Sequence, residues 1–277
     1  MLLLNGLGLR MRKPFWKRKL LQLGKKFGFQ LVDANIPAEL FPSILHFRQP
    51  TSFNLTTLEE KYLRAVINHL PASKSQLCQD LAALFLLDYK RDGFFVEFGA
   101  TDGITLSNTY LLETQYGWRG ILAEPARNWY QMLRNNRGCI IDVRCVWEKS
   151  GEQLSFFEAD DVELSTIASF KDSDAHSESR KKGVEYGVPT ISLGDLLAEH
   201  SAPDQIDYLS VDTEGSEFYI LSALDFSKYQ FKVITVEHNY TDTRKKVYEL
   251  LTKNGYIRIL EGFSQWDDWY VAKNILI

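Results

Sequence analysis

The chain has 277 residues, 45% of them hydrophobic and 13% aromatic, enough to bury one large core beside an extension. A formal net charge of −4 speaks against general nucleic-acid binding, whose mark is a clustered basic surface on a basic domain. Three cysteines, Cys78, Cys139 and Cys145, have no CxxC spacing; they exclude a disulfide framework and a cysteine zinc site and read as small core residues in a reducing compartment.

The N-terminal segment departs from the rest in composition. Residues 10–26 carry Arg10, Arg12, Lys13, Lys17, Arg18, Lys19, Lys25 and Lys26 with no acid before Asp33, and Phe15, Trp16, Leu20, Leu21 and Leu23 interleave at roughly helical spacing. Two readings stand. The segment is a solvated or partner-packed arm, or a helix lying on an anionic membrane surface, where each basic residue adds about 1 kcal/mol. The opening MLLLNGLGL is too short for a secretory core and precedes its positive charges, and no run approaches about eighteen apolar residues. A cytoplasmic protein is expected, with peripheral membrane contact through residues 10–26 as the open alternative. Pro37, Pro42 and Pro50 break the chain before a predicted helix over 58–69, which Pro71 closes. Ser75 is placed as the N-cap of the next helix, where Leu77, Leu81, Leu84, Phe85 and Tyr89 recur at helical spacing. Residues 1–74 are thus expected to form a basic arm and helical extension, and residues 75–277 a second unit.

Phe94, Phe95, Val96 and Phe98 read as a buried strand that ends in a turn, where Gly99 and Gly103 permit conformations closed to other residues. A helix is predicted over 105–116, ended by Gly117, followed by a strand over 120–123 and then Glu124 and Pro125. A strand, glycine turn, helix, strand and acid in that order describe an adenosine-binding crossover, with the last carboxylate accepting from ribose hydroxyls. The turn is not GxGxxG, and Glu97 and Asp102 flank it. Two acids suit a cation better than a pyrophosphate, and the sulfonium and amino group of S-adenosylmethionine are cationic. The bland alternative is an ordinary strand turn followed by a chance acid. The cofactor-facing set is Glu97, Gly99, Ala100, Asp102, Gly103, Asn108, Glu124 and Pro125.

A helix over 128–135 and a strand over 139–143 follow, placing Asp142 or Arg144 where the adenine base would lie, unless they are ordinary strand-end polar residues. After a strand over 154–157, residues 158–189 turn polar and read as a long loop, in which Ser165, Thr166, Lys171 and His176 either meet an acceptor or face solvent. A strand over 206–211 ends in Asp212, Thr213, Glu214 and Gly215, and one over 233–236 ends in Glu237, His238 and Asn239. Ligands of open α/β sheets bind beyond the carboxyl ends of strands, so these acids should share the crevice of Gly99 and Glu124. Glu217, opening a helix over 217–224, serves its N-terminal dipole. A helix over 247–251 and paired strands over 256–260 and 269–277 close the core. Between those strands Trp266, Asp267, Asp268 and Trp269 read as turn and packing residues, with an aromatic ring near the crevice available to stack on a sugar.

From Ser75 onward the sequence resembles the FkbM family of S-adenosylmethionine-dependent methyltransferases. The resemblance rests on SQLCQDL from Ser75, FFVEFGATDG from Phe94, SNTYLLE from Ser107, GWRGILAEP from Gly117, DYLSVDTEGSE from Asp207, VEHN from Val236, NGY from Asn254 and DDWYV from Asp267, in that order. It implies a Rossmann-like, seven-stranded class I methyltransferase sheet, mostly parallel with a C-terminal antiparallel hairpin, and methyl transfer to a hydroxyl on a small-molecule or glycan acceptor. It also implies that the strands ending in Asp212 and Glu237 are neighbours, so the two carboxylates approach and need a proton or a cation between them. One reading places a divalent ion, magnesium or manganese, on Asp212, Glu237 and Asn239, orienting the acceptor hydroxyl. The other is metal-free acid–base catalysis by Asp212, His238 and Glu214. Two further alternatives are a non-catalytic membrane-associated or scaffold protein that keeps the fold, and a nicotinamide-dependent oxidoreductase, disfavoured by the missing GxGxxG.

Overall fold

The computed structural model describes residues 56–160, 165–170 and 182–275. The basic segment 10–26, the prolines before residue 55, Lys171 and His176 lie outside the described residues. Helix α1 (Thr57–Val66) opens with a capping box: the Glu59 amide donates to Thr56 Oγ1 at 3.2 Å, and the Thr56 amide donates to Glu59 Oε2 at 2.9 Å. Helix α2 (Gln79–Leu86) begins after Cys78, whose backbone is left-handed at φ 64°. Ser75 is therefore not its N-cap. Its Oγ accepts from the Asp80 amide at 3.1 Å and donates to the Ser107 carbonyl at 3.3 Å, which ties the chain before α2 to the loop after the glycine turn.

The central sheet has seven strands in the order β10-β11-β9-β8-β1-β2-β3. Its parallel part comprises β1 (Phe94–Phe98), β2 (Arg119–Ala123), β3 (Ile140–Asp142), β8 (Gln205–Val211) and β9 (Gln230–Glu237). Strand β11 (Asp267–Ala272) inserts antiparallel between β9 and β10 (Tyr256–Ile259). Side chains alternate between two cores. Phe95, Leu122, Tyr208 and Val233 pack with α1, α2, α3 (Tyr110–Tyr116) and α4 (Tyr130–Asn136) on one face. Val96, Ile121, Leu209 and Ile234 pack with α5 (Leu193–Glu199), α6 (Glu217–Ser222) and α7 (Thr243–Lys253) on the other. Covering both faces is why these strands read as continuous apolar runs. This is the doubly covered, mostly parallel sheet that the resemblance implies.

Three local expectations change. The helix after the glycine turn starts at Tyr110 rather than near Thr105, because side chains claim the amides that would have nucleated it. Asp102 accepts from Ile104 and Thr105 N–H at 2.8 and 2.7 Å, and Glu97 accepts from Asn108 N–H at 2.7 Å. Asp267 and Asp268 open β11 instead of forming a turn; a short helix α8 (Glu261–Ser264) makes the connection. Finally, the polar stretch 158–189 is partly strand. A second sheet runs in the order β4-β7-β5-β6, from β4 (Cys145–Trp147), β5 (Gln153–Ala159), β6 (Thr166–Ile167) and β7 (Gly183–Ser192). One of its faces is wet: Glu185, Gly187 and Pro189 are exposed while Val188 and Thr190 are buried. Its inner face packs Phe156, Ile167 and Val188 on Ala126, just past the end of β2.

Among the described residues no helix is long and apolar enough to cross a membrane.

Candidate functional site

A cavity of about 430 Å³ opens beyond the carboxyl ends of the parallel strands, with Gly99, Glu124, Asp212, Glu214, Glu237 and Asn239 among its walls. The ends of β1 and β8 touch beneath it. Gly99 sits at φ 73°, and a Cβ there would lie 2.1 Å from the Asp212 carbonyl oxygen, so only glycine fits.

At one end, Glu124 follows β2 and is 4% exposed. Its Oε2 accepts from Thr101 N–H at 2.9 Å and its Oε1 from Ala126 N–H at 2.8 Å. Burial pushes this carboxyl up to about 7 against the pull of those two donors. The second sheet closes this end: Val146, Phe156 and Ile167 are apolar walls beside Glu124. A polar chain holds the two together. Tyr186 donates to Glu158, the Arg127 amide donates to Tyr186 Oη at 3.1 Å, and the Arg127 guanidinium lies 4.0 Å over the Tyr186 ring.

At the other end, Asp212 after β8 and Glu237 at the end of β9 are brought together by the parallel register that pairs Val211 with Val236. Glu214 joins them, and carboxylate oxygens of the three lie within 4.8 Å of one another. Asn239 Nδ2 donates to Glu214 Oε2 at 3.4 Å. Burial raises Asp212 to about 7; burial and then the Asp212 charge raise Glu237 well above the carboxylate range. With both ionised there is no donor between them, and Glu237 Oε2 is buried without a partner. Glu217 shapes the turn rather than lining the cavity: its Oε1 accepts from Thr213 and Gly215 N–H at 3.0 and 2.9 Å. Thr166 in β6 donates to the Glu214 carbonyl at 3.0 Å, and its neighbour Ser165 lines the cavity.

Several residues singled out in the sequence stand elsewhere. Glu97 turns inward, where Thr109 Oγ1, Ser107 Oγ at 3.1 Å and Asn108 N–H donate to it and Arg137 NH1 stands 3.8 Å away. Asp102 caps the turn, Asn108 donates to Ser210 Oγ at 2.9 Å, and the Gly103 carbonyl accepts from Arg137 at 3.0 Å. These three, with Ala100 and Glu97, build the turn that carries Gly99 and Thr101 and do not line the cavity. Asp142 is bound by Arg144 at 2.6 Å and His200 at 3.0 Å. Burial opposes its ionisation, but these bonds outweigh it and the carboxyl is held low. Neither Asp142 nor Arg144 reaches the cavity. His238 is also absent from the walls. Its Nδ1 accepts from Tyr240 N–H at 3.0 Å, and its Nε2 stands 3.6 Å from Asp268, so both ring nitrogens face the protein. Of the residues in the metal-free reading, Asp212 and Glu214 line the cavity and His238 stands behind it.

Other wall residues went unread. Gln76 accepts from Trp266 Nε1 at 3.2 Å across a separation of 190 residues, which no local pattern encodes. Tyr240, 67% exposed at the rim, lies in a left-handed turn with Asn239. Among the described residues no lysine, arginine or histidine lines the cavity. A crevice with carboxylates at both ends fits a cationic ligand, and the sulfonium cofactor that the sequence suggests meets that condition.

The family model of the methyltransferase FkbM domain matches residues 97–269. Among solved structures, the chain is similar to the FkbM methyltransferase of Methylobacillus flagellatus KT, at 15% identity over 92% of this chain and 70% of that one, with a TM-score of 0.41. It is also similar to a precorrin-6y C5,15-methyltransferase of Geobacter metallireducens GS-15, at 14% identity over 65% and 71% of the two chains and a TM-score of 0.34. A TehB-like SAM-dependent methyltransferase of Corynebacterium glutamicum shows 9% identity over 78% and 96%, with a TM-score of 0.35. No curated protein matches the chain.

Proposed function

The chain belongs to the FkbM family of S-adenosylmethionine-dependent methyltransferases, and from that premise we propose that it methylates a hydroxyl of a sugar, glycan or other small metabolite. The family sets aside the nicotinamide alternative. The observation that carries the proposal is a single cavity whose walls include Glu124 at one end, Gly99 in the middle and the Asp212, Glu214 and Glu237 group at the other.

S-adenosylmethionine, when bound, supplies an electrophilic methyl group. Glu124 would accept from the ribose hydroxyls, and Val146, Phe156 and Ile167 would flank the base. Gly99 keeps the ends of β1 and β8 in contact beneath the ligand, since a Cβ there would strike the Asp212 carbonyl oxygen. Beyond it, the acid group would orient an acceptor hydroxyl and take its proton, so that most of the rate gain comes from positioning donor and acceptor in line. Tyr240 and Trp266 stand on the same side as Glu237 and Asn239 and offer the aromatic faces on which sugar rings stack, which favours a carbohydrate acceptor.

The test is methyl transfer from labelled cofactor to matched acceptors bearing hydroxyl or amino groups. Label in base-stable ethers is expected; label only in amines would overturn O-methylation.

The Glu124 carboxyl gives a pH signature. Its acid form persists in the free protein up to about pH 7, while the charged form is the one that accepts from two hydroxyls. Binding should therefore expel a proton, and affinity for S-adenosylhomocysteine should climb as pH rises toward about 7 and level off above it. Calorimetry at about pH 6 in two buffers of different ionisation enthalpy reads the proton count. Proton uptake instead of release would contradict the ribose assignment.

A further inference from the structure

We infer that Asp212, Glu214 and Glu237 form a binding site for one hard divalent cation, which anchors the acceptor; the anchoring role rests on the methyl-transfer reading, but the site itself does not. The turn after β8 delivers Asp212 and Glu214, and the end of β9 delivers Glu237 to the same point. Their ligand oxygens lie within 4.8 Å of one another. Magnesium–oxygen bonds of about 2.0–2.1 Å place opposite ligand atoms at most about 4.2 Å apart, so one ion reaches all three once the oxygens close by up to about half an ångström.

The acids alone would not establish this. The second observation is Glu237 Oε2, a carboxylate oxygen on a side chain that is 9% exposed and lines the cavity, with no hydrogen-bond partner. A buried ionised oxygen without a donor is costly, and a cation satisfies it where no side chain does. No lysine, arginine or histidine lines this cavity among the described residues to neutralise the group.

The surrounding backbone is spent on aiming the ligands. Glu214 sits at φ 58°, an unfavourable conformation for a glutamate. It is held there by Glu217, which accepts from the amides on either side, and by Thr166 Oγ1, which donates to its carbonyl. Asn239, at φ 42°, donates to Glu214 Oε2 and thereby orients that carboxylate. Asn239, expected in the sequence as a direct ligand, is a positioning residue in this arrangement. The donor set is oxygen only, with neither imidazole nor thiolate, which selects magnesium or manganese over zinc. Three protein ligands leave coordination positions open toward the cavity for an acceptor hydroxyl and water.

The experiment uses manganese as the probe on the full chain with no cofactor or acceptor present, read by electron paramagnetic resonance. One Mn²⁺ per chain is expected. Binding should weaken at least about tenfold in both Asp212→Asn and Glu237→Gln, with S-adenosylhomocysteine binding retained as the sign that each variant is folded. Asn239→Ala should weaken it less than either. No manganese binding by protein that still takes up S-adenosylhomocysteine would overturn the site, as would binding unaltered in both carboxamide variants. Methyl transfer that persists in excess chelator would leave the proposed function standing and remove the ion from it. Manganese binding in a chain that methylates no hydroxyl would keep the site and remove its acceptor.

Discussion

Glu124→Ala is expected to bind S-adenosylhomocysteine at least about a hundredfold more weakly than the unaltered chain. Two ribose hydroxyl bonds to a charged acceptor are removed, at about 1.5–3 kcal/mol each, and about 1.4 kcal/mol is a factor of ten. The loss has a structural share as well. Thr101 and Ala126 N–H donate to this carboxylate, and both would be left without their acceptor. Circular dichroism and manganese binding at the far end of the cavity separate the two effects, since a folded variant with intact metal uptake isolates the cofactor term. Undiminished affinity in such a variant would refute the placement of the ribose.

Arg137→Met should be the most damaging single change to the fold. The Arg137 side chain is fully buried and donates to Glu113 at 2.7 Å, to Ser107 and Thr109 hydroxyls at 3.1 and 2.9 Å, and to the Gly103 carbonyl at 3.0 Å. It is also the cation nearest the buried Glu97. Burial already raises the Glu97 carboxyl, with Arg137 the leading influence pulling it back. Removing one partner of a buried pair costs about 3–5 kcal/mol, because the remaining charge has nothing to offset its desolvation. At about 2–4 °C per kcal/mol for a chain of this size, the melting midpoint should fall by roughly 6–20 °C. Adding Glu97→Gln to the variant should recover part of that loss. A shift of under about 2 °C would show that the network contributes little to stability.

The sequence carried the central sheet well, because its strands are buried on both faces and stand out as apolar runs closed by glycine or acid. Gly99, Glu124, Asp212 and Glu237 were legible for the same reason: each ends a strand, and strand ends of a parallel sheet converge. What a sequence does not carry is the direction of a side chain. Glu97 and Glu237 both belong to strand ends, yet one is enclosed by residues 107–109 and Arg137 while the other lines the cavity. His238 was read as a base from its place beside Glu237, but the turn at Asn239 and Tyr240 returns an amide to its Nδ1. The second sheet was hidden by its wet face, since β7 alternates only from Tyr186 onward and its first residues are exposed on both sides.

The place of β11 between β9 and β10 bears on how the molecule folds. Gln79 donates to Asp267 across 188 residues, Trp266 donates to Gln76 across 190, and the Gly262 amide donates to Glu59 across 203. Such pairings can form only after nearly the whole described chain has been gathered, and large average sequence separation slows the search. Until β11 slots between β9 and β10, helices α1 and α2 lack the Trp269 surface they cover, and Trp266 and Gln76 have not met. A chain halted short of that step would display β1, β2 and their glycine turn without the wall that Trp266 and Gln76 give the crevice.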